Sequence, residues 1–123
     1  AVRLIAAALV ALAGCASQPP APPQDLADSS KPLICTSSAA CARYWKRATV
    51  FVTQTSPYRI RLASDTIIET FGPLDYTSGF AMRVTREPVN DHWERLRIFA
   101  GCWGTCPIAW EALDARFKRF VKN

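Results

Sequence analysis

The sequence predicts an α+β domain. The expected architecture is a two-layer sandwich in the order helix, three or four antiparallel strands, helix, with two disulfides. Three observations predict it. Apolar residues recur at helical spacing before residue 55, alternate with a period of two from residue 58 to residue 100, and return to helical spacing after Pro107. Four cysteines are distributed between the two helical stretches. A sheet with one apolar face needs a covering layer, and two amphipathic helices supply one.

Each element has its own justification. Ser37 or Ser38 can cap a helix running to about Thr53, with Cys41, Tyr44, Trp45, Ala48 and Val52 on one face. Ser56-Pro57 stops it. Tyr58, Ile60 and Leu62 then alternate with Arg59 and Arg61, and Thr66 to Phe71 is β-branched and aromatic. Gly72-Pro73 turns the chain. Phe80, Met82 and Val84 alternate with Ala81, Arg83 and Thr85. Pro88-Val89-Asn90-Asp91 has the composition of a hairpin loop, after which Leu96, Ile98 and Ala100 alternate with Arg95, Arg97 and Phe99. Pro107 suits the first turn of a closing helix. Its apolar positions are Trp110, Leu113, Phe117 and Phe120 or Val121, and Arg116, Lys118, Arg119 and Lys122 complement the dipole at its C-terminal end.

The chain has 123 residues, and its first third is not of globular composition. Roughly 90 residues are left for folding, enough for one domain with a modest core. Residues 1–15 place Arg3 before an uncharged apolar run from Leu4 to Ala13. That run is too short to span a bilayer as a helix but suits the core of a secretory signal. It ends in Leu12-Ala13-Gly14-Cys15, which resembles the lipobox of bacterial lipoproteins. The resemblance implies a signal peptide over 1–14 and a Cys15 that carries diacylglycerol and an acyl chain such as palmitate, holding the protein to a membrane. Ala16 after the cysteine is similar to the outer-membrane sorting pattern, with the domain in the periplasm. A lipidated, Pro-rich tether is then expected over 15–32. Its prolines from Pro19 to Pro23 favour an extended spacer, and Asp25 to Lys31 is expected to be mobile. The folded domain is expected over 33–123.

The four remaining cysteines, Cys35, Cys41, Cys102 and Cys106, read in an exported domain as two disulfides. Three pairings exist. The local one, Cys35–Cys41 with Cys102–Cys106, pins the entry to each helix and is favoured; the other two staple the first helix to the end of the last strand. The run Cys102-Trp103-Gly104-Thr105-Cys106-Pro107 resembles the copper-binding motif of Sco-type copper chaperones. That likeness implies Cu(I) binding or thiol exchange by Cys102 and Cys106. The sequence departs from that family, whose motif comes early in a thioredoxin fold and whose ligand histidine lies downstream. No histidine follows the motif here. The spacing C-x₅-C before a Tyr-Trp helix, with Ser-Pro-Tyr-Arg-Ile and a late cysteine pair, looks like small proteobacterial lipoproteins of unassigned function.

Signals for the common enzyme classes are missing. His92 is the sole histidine, in a polar loop with Asp91 and Glu94; no nucleophile-elbow sequence and no glycine-rich phosphate loop exist. Asp65 and Glu69 read as an exposed strand side. The expectation is therefore a non-enzymatic protein with no cofactor and no metal. From Lys31 onward 14 Lys and Arg stand against 8 Asp and Glu, a balance of +6. Arginine outnumbers lysine eleven to four over the chain. If the alternating apolar residues, Leu62 among them, face the helices, then Arg59, Arg61, Arg83, Arg95 and Arg97 share the opposite face with Phe99. Arginine's planar fork suits bidentate contact with phosphate or carboxylate. Such a face fits an anionic envelope component or an acidic protein, and nucleic acid is not an expected partner in that compartment.

Overall fold

A computed structural model describes residues 19–74 and 77–123. The signal segment and Cys15 lie outside the described residues. The elements are α1 (Pro23–Ser30), β1 (Leu33–Cys35), α2 (Ser38–Thr55), β2 (Ile60–Ala63), β3 (Ile67–Thr70), β4 (Ala81–Pro88), β5 (Glu94–Gly101) and α3 (Trp110–Lys122). The strands form one antiparallel sheet in the order β1-β5-β4-β3-β2. Helices α2 and α3 pack on one face of it, giving the expected two-layer α+β sandwich. Among the described residues, no helix is long and apolar enough to cross a membrane.

The core follows from the alternation. Leu33, Ile68, Met82, Val84, Leu96 and Ile98 point from the sheet onto Ala48, Phe51 and Val52 of α2 and Leu113, Phe117 and Val121 of α3, all buried. Phe51 joins the helices, meeting Phe117 edge-on with ring centroids 5.4 Å apart. Ser37 caps α2 by accepting from the Ala40 N–H at 3.1 Å. Tyr58 is buried beneath the 71–74 turn, where its hydroxyl accepts the Leu74 N–H at 3.0 Å. Gly72 has φ +89°, and a Cβ there would stand 2.9 Å from the Tyr58 ring, so only glycine fits this turn.

Four expectations are corrected. The polar stretch Asp25–Lys31 is not mobile, because residues 23–30 form α1, which packs on α3. Pro22 and Pro23 occupy the helix start, where a missing N–H costs nothing, and Asp25 complements the first turn. The folded unit thus reaches back into the expected tether. The sheet has five strands rather than three or four, because the three residues Leu33–Cys35 pair with Glu94–Leu96. Leu62 does not face the core: the register slips between Ile60 and Leu62, a bulge that puts Leu62 opposite Glu69 on the outer face, 45% exposed. Finally, Pro107 lies three residues before α3, whose N-cap is Ala109, and Trp110 is part-exposed rather than a core residue.

Candidate functional site

The helix-free face of the sheet carries the expected arginines. Cross-strand register places Leu62, Glu69, Arg83 and Phe99 in one row over β2, β3, β4 and β5. The next rows set Ile67 beside Thr85 and Arg97, then Glu87 beside Arg95 and, on β1, Ile34. Period-two geometry makes this inevitable, since every inward residue of β4 and β5 is flanked by outward ones.

Phe99 is the centre of the arrangement. It is 41% exposed, and the guanidinium carbons of Arg83 and Arg97 lie 5.5 Å and 5.4 Å from its ring centroid. Two cations held over one aromatic ring are mutually repulsive, and the ring's negative face offsets part of that repulsion. Arg97 also approaches Glu87 at 3.8 Å, while Glu87 accepts from the Thr85 hydroxyl at 3.1 Å. Arg61, the bulged residue, pairs with Glu69 across the strand. Arg83 and Arg95 have no carboxylate partner among the described residues.

The structure thus gathers Arg83, Arg95, Arg97 and Phe99 on one surface, with Arg61 at its β2 border. Arg59 does not join them as a strand residue. It precedes β2 and lines a shallow cleft with Thr53, Ser56 and Pro57 at the end of α2.

Both disulfides are local, Cys35–Cys41 and Cys102–Cys106, with Cα–Cα distances of 5.2 Å and 5.5 Å. They differ in setting. Cys35 and Cys41 are fully buried between β1 and α2, whereas Cys102 and Cys106 are half-exposed in a loop bearing Trp103 at 54% exposure. His92 lies in the β4–β5 hairpin, at the opposite end of β5 from that loop. Eight strand residues separate the two, on the order of 26 Å, so His92 and the Cys102–Cys106 pair cannot share one ligand. Cys35, Cys41 and Glu94 bring two sulfurs and a carboxylate within 4.8 Å of one another. The sulfurs are bonded to each other and Glu94 is engaged by Arg86, so this trio offers no free thiolate to a metal.

Among the groups the sequence reading missed is a charged pair on the inner face of the sheet. Arg86 turns toward the helices, pairs with Glu94 and covers the Trp45 ring at 5.9 Å. Its signal was in the alternation: Arg86 has the parity of the buried Val84, and Glu94 that of the buried Leu96.

Comparison with protein-family models, curated proteins and solved structures finds no match to this chain.

Proposed function

We propose that this chain is a non-enzymatic, outer-membrane-anchored lipoprotein whose sheet face docks an acidic protein of the envelope. The observation that carries the docking reading is Phe99 with Arg83 and Arg97 over its ring on the sheet face opposite α2 and α3, where Arg83 and Arg95 have no carboxylate partner among the described residues. Arginine and exposed aromatics are the residue types that concentrate in interface centres. Glu69 and Glu87 interrupt the positive field, so the face is matched to a mixed protein surface rather than to a uniformly anionic polymer or bilayer. The anchor rests on Leu12-Ala13-Gly14-Cys15.

Two arms test the reading. Intact-mass analysis of the exported protein should show acyl groups on Cys15, lost in Cys15→Ser. In the Cys15→Ser background, R83E/R95E/R97E should reduce retention by the envelope about tenfold, as expected for three reversed contacts of surface strength. Unchanged retention would remove the arginine face from consideration.

A second reading, copper or thiol-redox chemistry at Cys102 and Cys106, is favoured by one feature: theirs is the more exposed disulfide. A free-thiol and Cu(I) count after mild reduction separates the two. Release of two thiols and one bound Cu(I) per chain would support the redox reading, and resistance to reduction would sink it.

A further inference from the structure

Helix α1 is held to the domain in an unusual way for so short an element. Eight residues do not sustain a helix in water without tertiary support. Burial of apolar surface does not supply that support, because Leu26, the helix's one large apolar residue, is 48% exposed. Its buried residue is Asp25.

Charge does the holding. The Arg119 guanidinium of α3 donates from Nη2 to Asp25 Oδ1 and from Nη1 to Asp28 Oδ2, both at 2.8 Å. Lys118 Nζ donates to the Ser29 carbonyl at 2.7 Å and pairs with Asp114 at 3.0 Å. Ser29 Oγ closes the group by donating to Asp114 Oδ2 at 2.7 Å. The hydrogen bonds that Arg119 donates to Asp25 and then to Asp28 hold its pKa above the ordinary value.

These contacts engage two of the cations at the end of α3, Lys118 and Arg119, and Arg119 keeps 39% of its side chain exposed. Arg116, Lys118, Arg119 and Lys122 stand within the last two turns of α3, and Arg116 and Lys122 are exposed. Spacings of three and four residues bring Lys118, Arg119 and Lys122 onto neighbouring strips of the helix. Asp25 and Asp28 occupy the place that an external anion would take. We propose that α1 is a detachable acidic cover over the basic end of α3, and that an anionic phospholipid surface competes for the cations it covers. Charge complementarity selects that ligand. Mobile headgroups adapt to any cation spacing. The bilayer's proximity rests on the lipidation of Cys15 proposed above. Eight residue steps separate Cys15 from Pro23, enough for a reach of about 25 Å at the rise of an extended proline-rich chain.

The test uses the full chain with Cys15→Ser, so that its outcome is independent of lipidation. Co-sedimentation compares vesicles of pure phosphatidylcholine with vesicles of phosphatidylcholine and phosphatidylglycerol. D25N/D28N should bind the anionic vesicles about tenfold more tightly than the parent, the gain expected from freeing one or two cations at such a surface. Pure phosphatidylcholine should show no gain, and adding Arg119→Gln should erase it. Equal binding by parent and D25N/D28N, or a gain that survives Arg119→Gln, overturns the proposal. An equal gain toward a soluble polyglutamate overturns the choice of phospholipid. Hydrogen exchange on the parent supplies a reading free of substitutions. Anionic vesicles should lower protection of the α1 amides and leave β4 and β5 unchanged. Unaltered α1 protection in the vesicle-bound protein contradicts detachment.

Discussion

The two faces of this sheet are built from the same strands by the same alternation, yet they do different work. On the inner face Val84, Leu96 and Ile98 are almost wholly removed from water and meet Phe117 and Val52. On the outer face their immediate neighbours Arg83, Arg97 and Phe99 meet solvent and one another. Burial stabilises the fold through the first set, and the second set is free to vary without unfolding it. An outer face needs only to be polar. Placing an aromatic ring there under two arginines goes beyond that requirement, and this excess is the argument for a docking surface.

Substitutions should separate the faces by size of effect. Phe117→Ala, at a fully buried position packed on Phe51, should destabilise by about 3–5 kcal/mol in chemical denaturation. Phe99→Ala, the same change on the outer face, should cost less than about 1 kcal/mol. A cost at Phe99 equal to that at Phe117 would show that the outer ring is structural and break the contrast. The disulfides come next. Removing either one should cost about 2 kcal/mol from loop-closure entropy, since both loops are short. Their reducibility should differ: mild reductant followed by thiol alkylation should label Cys102 and Cys106 before Cys35 and Cys41. Labelling in the reverse order would contradict the burial difference. Smallest of all, Leu62→Lys should change stability by no more than about 0.5 kcal/mol, because the bulge turns Leu62 to solvent. A larger loss would restore Leu62 to the core and cancel the register shift.

Much of the inner face was legible in the sequence because alternation and helical spacing both report burial. Tyr58, Met82, Val84 and Leu113 stand where the pattern put them. The failures have specific causes. A bulge changes the parity of everything beyond it, and nothing in Ile60-Arg61-Leu62-Ala63 marks one. A three-residue strand such as β1 is too short for a periodic signal. Proline before α1 read as a spacer, although proline at the first turn with Asp25 just after it also fits a helix start. What holds α1 is Arg119, 94 residues away, and no local pattern reports a partner at that distance.

The outer face was legible as a set of arginines but not as a site. Alternation placed Arg83, Arg95, Arg97 and Phe99 on one side; only the strand order brought Arg83 and Arg97 to the same ring. Arg59 shared their parity on paper and fell outside because β2 begins after it.

The docking claim is tested most directly by placing a photo-cross-linking amino acid at position 99 of the full chain in living cells. Position 50 on the exposed side of α2 serves as the reference. The account predicts a discrete protein adduct from position 99, none from position 50, and loss of the adduct when Arg83, Arg95 and Arg97 are reversed to glutamate. No adduct from position 99, or the same adducts from both positions, would contradict it.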